Sequence, residues 1–182
     1  GNVISHKIAE TVICVDRRMT YTAVKKILEG DGDLRREYQD FVPLFHHMKE
    51  LSAILRKKRS NRGSIDFDFP ETKIELDEKG RPINIKPYER NSATKIIEDF
   101  MLVANETVAE EYFWREVPFL YRTHEVPDEE KIKKLSTFIN NFGYHIHVHD
   151  EVKPKEIQKL LSQVEGTPEE ALISRLTLRS MC

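Results

Sequence analysis

The chain has 182 residues, 39% hydrophobic and 33% charged, enough apolar matter for one medium domain with a real core. A formal net charge of −2 excludes a global positive field, so any attraction to nucleic acid must come from local patches. Two cysteines, Cys14 and Cys182, exclude a disulfide framework, and no leader or ~20-residue apolar run opens a membrane route, so a reduced cytoplasmic setting is expected.

Residues 5–14 are rich in β-branched side chains and predict a strand. Val24, Ile27 and Leu28 share one side of a short helix at 22–29 that Gly30 ends, and Asp31-Gly32-Asp33 reads as a turn. Pro43 suits the first turn of a long helix carrying Leu44, Met48, Leu51, Ile54 and Leu55 at spacings of three and four; Gly63 stops it. Strands are predicted at 64–69, 71–76 and 83–88, the last two as a hairpin about the turn Glu78-Lys79-Gly80-Arg81-Pro82. A long helix covers 90–115, with Ala93, Ile97, Phe100, Ala104 and Val108 as its buried face. Phe119-Leu120-Tyr121-Arg122 predicts a strand. Helices follow at 128–141, 153–163 and 168–181, with Pro127, Pro154 and Pro168 near their starts. Central strands with helices on both sides give an α+β class, a mixed β-sheet flanked by helices. The chain starts at Gly1 and stops while Leu176, Leu178 and Met181 still keep helical spacing, so an internal piece of a longer protein is expected.

Five groups of residues carry chemistry worth weighing. On the 90–115 helix, Asn91, Lys95, Glu98, Leu102 and Asn105 form a second, largely polar stripe. Glu98 follows Ile96-Ile97 at the border of the buried face, where a carboxylate can accept hydrogen bonds from ribose hydroxyls, the groups that separate RNA from DNA. A solvated stripe with a Lys95–Glu98 ion pair is the plainer alternative. Arg56-Lys57-Lys58-Arg59-Ser60-Asn61-Arg62 holds five cations at a helix end, either complementing the helix dipole or contacting phosphates. In Ser64-Ile65-Asp66-Phe67-Asp68-Phe69, Asp66 and Asp68 share one face, which makes a metal pair conceivable and a wet strand face the default. Phe67 either packs or offers a ring for base stacking. Tyr21 either covers the apolar side of its helix or turns its hydroxyl to a substrate. His145, His147 and His149 alternate with apolar residues in a pattern that can chelate zinc, but no further ligands lie near them in sequence.

Several of these residues fall in segments that resemble the ribonuclease II / ribonuclease R family, most nearly its bacterial ribonuclease R branch. The segments are Arg18-Met19-Thr20-Tyr21-Thr22-Ala23-Val24 with Ile27-Leu28-Glu29-Gly30-Asp31; Lys58-Arg59…Arg62-Gly63-Ser64-Ile65-Asp66-Phe67; and Arg90-Asn91…Lys95-Ile96-Ile97-Glu98-Asp99-Phe100-Met101-Leu102-Val103-Ala104-Asn105. Pro118-Phe119-Leu120-Tyr121-Arg122-Thr123-His124 and Leu178-Arg179-Ser180-Met181 follow in the same order. The resemblance implies that residues 1–182 are a fragment of a single catalytic (RNB) domain, truncated at both ends, of a processive 3′→5′ exoribonuclease. It further implies hydrolysis of single-stranded RNA to nucleoside 5′-monophosphates with Mg2+, and separate OB-type RNA-binding domains in the remainder of the parent polypeptide. Tyr21, Phe67, Glu98 and Asn91 become RNA-binding positions, with Phe69 a rival to Phe67, and Arg59 and Arg62 become phosphate contacts. The family's aspartate cluster is expected N-terminal to this chain and its Arg-bearing motif C-terminal to it, so the magnesium ligands and catalytic residues are expected elsewhere. A non-catalytic RNA-binding module derived from the same family, and an unrelated protein-interaction domain, are the other readings.

Overall fold

The computed structural model describes residues 1–67, 69, 72–88, 90–123, 126–147 and 152–181. The chain forms two compact units. The first comprises Gly1–Lys58 with Pro70–Leu120, the second Arg59–Phe69 with Tyr121–Cys182. The class is α+β, as expected; among the described residues the β component is one antiparallel hairpin.

In unit 1, α1 (Tyr21–Glu29) starts where the Thr20 hydroxyl accepts the Ala23 N–H at 3.2 Å and ends at Gly30, whose φ of 106° lets its N–H turn back to the last carbonyls. Asp31 does not make a simple turn. Its carboxylate accepts the N–H groups of Asp33 and Leu34 and so caps a further helix, α2 (Gly32–Glu37). A single 3-10 turn (Gln39–Phe41) leads into α3 (Val42–Asn61), with Pro43 in the first turn where its missing N–H costs nothing. The core gathers Ile27, Leu28, Phe45 and Ile96; each such side chain gains ~1.5–3 kcal/mol on full burial.

Two predicted faces are displaced. Leu44, Leu51 and Ile54 are 42–51% exposed, and α3 instead buries Phe45 and Ser52. On α4 (Ser92–Trp114) the buried residues are Ala93, Ile96 and Asp99, three apart, while Ala104 is exposed and Ile97, Phe100 and Val108 are half-buried. A polar contact accompanies the shift: Asp99 reaches across to α3, where Ser52 Oγ donates to it at 2.6 Å and Arg56 at 3.1 Å.

The hairpin joins β1 (Thr72–Leu76) to β2 (Pro82–Pro87) in the expected pairing, with a shift in register between Glu75 and Leu76. Asp77 closes its turn by accepting the N–H groups of Lys79 and Arg81, both at 2.8 Å. Lys86, and then Asn84, hold the Glu75 carboxyl below its ordinary pKa across the strands. Residues 5–14 form no strand. They are exposed and tied by His6 to Glu111, with Lys58 Nζ donating to the Gly1 carbonyl ahead of them, and no described segment offers them a hydrogen-bonding ladder. The described residues of 64–69 and of 119–122 likewise lack strand pairing; Phe119 instead stacks on Tyr112 at 4.8 Å.

Unit 2 is helical. α5 (Glu129–Asn140), α6 (Pro154–Val164) and α7 (Glu170–Ser180) bury Ile132, Leu135 and Ile139, Leu160 and Val164, and Ile173 in one cluster with Ile146. Those spacings of three and four put one stripe of each helix inward. Asp128 caps α5 by accepting the Glu130 and Lys131 N–H groups, and Pro154 opens α6.

Candidate functional site

In unit 1 the sequence-selected residues lie on the packed pair α1 and α4. Tyr21 opens α1, is 46% exposed, and lines a cavity of about 340 Å³. Met19, Val24, Phe45 and Met48 form much of its wall, and Ala93, Ile96 and Ile97 close it from α4. Tyr21 is thus a rim residue, its ring against apolar walls and its polar tip able to reach water. Glu98 comes next along α4 after Ile97.

The backbone just before α4 explains how Glu98 is held. Asn91 is the N-cap: its Oδ1 accepts the Ala93 and Thr94 N–H groups at 3.0 and 3.1 Å, while Thr94 Oγ1 accepts the Asn91 N–H at 2.9 Å. The Asn91 oxygen is therefore engaged in starting the helix. This reciprocal cap fixes the preceding residue, Arg90, against the first turns. Its guanidinium reaches Glu98 three times, Nη2 to Oε1 at 2.8 Å, Nη2 to Oε2 at 2.9 Å and Nε to Oε2 at 3.2 Å. Glu98 pairs with Arg90, not with Lys95. The two side chains are 21% and 37% exposed, so the pair sits at the border of burial.

The other selected residues belong to unit 2. Phe67 and Phe69 are both half-buried and stack on one another, centroids 5.7 Å apart and planes 11° from parallel. The segment carrying them is anchored on α6. Gln158 Nε2 donates to the Ser60 carbonyl and the Ser64 carbonyl, each at 3.1 Å, and Gly63 passes so close that a Cβ would stand 3.2 Å from Pro154 Cβ. Arg59 is half-buried and Arg62 exposed. Of the five cations, two in unit 1 are committed within the fold: Arg56 to Asp99, and Lys58 to Gly1 and Asn2.

Metal ligation does not fit what is described. Among the described residues no three His, Cys, Asp or Glu side chains gather to hold an ion. Asp66 is exposed, and Asp68, its expected partner, lies outside the described residues. Of the histidine row, His145 pairs with Asn140 at 2.7 Å, His147 is exposed, and His149 lies outside the described residues, as do His124 and Cys182. These side chains make no site for the magnesium that the resemblance implies. No described helix is long and apolar enough to cross a membrane.

Reading the sequence missed Arg90 as the partner of Glu98, Asp99 as a buried carboxylate, and Gln158. Asp99 had a signal: it falls three residues after Ile96 and six after Ala93. Gln158 had none, since its acceptors lie 94 and 98 residues away.

The RNB domain family matches residues 1–182, and the chain belongs to that family. It is 43% identical over its whole length to ribonuclease R of Aquifex aeolicus and 38% identical to ribonuclease R 1 of Lactococcus lactis. It spans only 26% and 22% of those relatives' lengths. Among solved structures, Mycoplasma genitalium RNase R in complex with ribose methylated single-stranded RNA superposes with a TM-score of 0.76 at 26% identity, covering 89% of this chain and 25% of that one.

Proposed function

We propose that this chain is part of the catalytic domain of a magnesium-dependent 3′→5′ exoribonuclease that hydrolyses single-stranded RNA to nucleoside 5′-monophosphates in the cytoplasm. The chain supplies wall residues of an RNA channel, and the magnesium ligands and OB-type RNA-binding domains belong to the rest of the parent polypeptide. What carries this reading is the half-buried Glu98 carboxylate, on the same helix as the Ile96 and Ile97 that line the Tyr21 cavity, in a chain that matches the RNB domain throughout. Such a carboxylate accepts hydrogen bonds from ribose hydroxyls and has nothing equivalent to accept from deoxyribose. Phe67 with Phe69 offers a stacking surface for bases, and Arg59 and Arg62 add charge for phosphates.

Two measurements test this. In the full-length parent, Glu98→Ala and Tyr21→Ala should relax discrimination between RNA and DNA; unchanged selectivity in both removes these residues from the site. The 182-residue chain, purified free of host nuclease, should release no mononucleotides with magnesium, because hydrolysis of a phosphodiester of this kind needs metal to activate water. Release would overturn the assignment of the catalytic centre to the rest of the parent. RNA binding without hydrolysis by the intact parent would mark it as a non-catalytic binding module.

A further inference from the structure

We propose that Arg90 is a positioning residue for sugar recognition: it sets the Glu98 carboxylate in the one orientation that leaves an acceptor for a ribose hydroxyl. The inference rests on the assignment of Glu98 to ribose recognition and adds a second residue to it. A glutamate at the edge of a helix has three rotatable bonds, and unheld it would sample many rotamers in water. The grip of Arg90 removes that freedom before any ligand arrives, since its fork meets both carboxylate oxygens.

The pattern of the three contacts is uneven. Oε2 accepts from both Nε and Nη2, while Oε1 accepts from Nη2 alone. An ionised carboxylate has about four lone-pair directions, two on each oxygen. Oε2 is therefore filled by Arg90, and Oε1 keeps a lone pair directed away from the guanidinium. With the Glu98 side chain 37% exposed, that lone pair is the acceptor offered to a sugar hydroxyl. Arg90 is itself held by the chain rather than by the helix: the Asn91–Thr94 cap locks the backbone on its C-terminal side, so guanidinium and carboxylate approach from fixed ends. Ribose recognition is then prepared in advance, with little ordering left to be done when RNA binds.

The test uses the full-length parent and two matched single-stranded oligonucleotides, one all ribose and one with deoxyribose near the 3′ end, and compares degradation rates. Arg90→Ala should lower the ribose-over-deoxyribose ratio by about tenfold or more, the scale of a lost hydrogen bond to a charged group. In the Glu98→Ala background the same change should alter the ratio less than about twofold, because both act through one acceptor. Arg90→Lys keeps the charge but not the two-oxygen fork, and should give an intermediate ratio even if Arg90→Ala folds poorly. Equal loss of rate on both oligonucleotides with the ratio preserved, or a ratio for Arg90→Lys equal to that of the unaltered protein, overturns the role of Arg90. If Glu98→Ala itself leaves the ratio unchanged, the assignment of Glu98 falls first and the inference falls with it. That outcome is distinct from a Glu98 effect that Arg90 does not share.

Discussion

Replacing Asp99 by alanine should loosen α3 from α4, and the size of the effect can be worked from the contacts. The Asp99 carboxylate is 1% exposed and takes the Ser52 hydroxyl at 2.6 Å and the Arg56 guanidinium at 3.1 Å. Breaking a fully buried ion pair from one side costs ~3–5 kcal/mol, but Arg56 is 29% exposed and its charge reaches water once released, so about 2 kcal/mol applies. Ser52, 6% exposed, loses its acceptor and adds about 1 kcal/mol at the low end for a stranded buried hydroxyl. A total of ~3 kcal/mol corresponds to about a hundredfold faster exchange of the amides whose opening depends on this contact. Hydrogen–deuterium exchange on the full-length protein reads α3 and α4 separately from the rest, where a single melting temperature would average many elements. Asp99→Asn keeps an oxygen for Ser52 and should cost about a third as much. The triple change Ser52→Ala, Arg56→Met, Asp99→Leu should recover most of the loss, since no buried charge is then left unpaired. Less than about threefold faster exchange in Asp99→Ala would refute the claim that this polar contact holds the two helices together.

Gly63→Ala should weaken the seating of residues 59–67 on α6, because φ is 98° there and the new Cβ meets Pro154 Cβ at 3.2 Å and the Lys155 backbone nitrogen at 3.3 Å. A cost of ~1–3 kcal/mol is expected, read as faster cleavage in 59–67 by added protease; an unchanged cleavage rate would count against the close approach. Thr177 is fully buried and its hydroxyl meets no hydrogen-bond partner among the described residues, so Thr177→Val should stabilise α7 by about 1 kcal/mol, seen as slower amide exchange. Faster exchange would mean that the hydroxyl has a partner after all. The Asp128 carboxyl is held below its ordinary range, first by the Lys131 N–H, against some desolvation, and then by the Glu130 N–H. A depressed folded-state pKa gives stability that is complete above the unfolded value of about 3.9 and lost as pH falls through the folded one. Asp128→Ala should therefore lower protection of α5 most at neutral pH, with the gap closing in acid; a gap constant from pH 7 to 3 would deny the cap its charge.

Local chemistry made much of the molecule legible. α1, α4, α5, α6 and α7 fall close to where apolar residues recur at three and four, because a helix closes its hydrogen bonds within its own segment. Their ends are marked by neighbours in sequence: Gly30 after α1, Pro154 opening α6, and the Gly-Pro turn of the hairpin. Residue type and place left Tyr21, Phe67 and Glu98 open between packing and recognition, and it was the family resemblance that singled them out. The stacking of Phe67 on Phe69 and the grip of Arg90 depend on the path of non-helical backbone, which has no period to read.

By itself the sequence determined the long helices and the hairpin, since each is a property of a few adjacent positions. Folding in three dimensions decided which faces are inside. Ser52 and Arg56 meet Asp99 from 47 and 43 residues away, while Leu44, Leu51 and Ile54 of the same helix are exposed. Among the described residues, 5–14 and 119–122 are left without strand pairing, because a strand exists only when a second one supplies its hydrogen bonds, and no spacing within one segment can promise that partner.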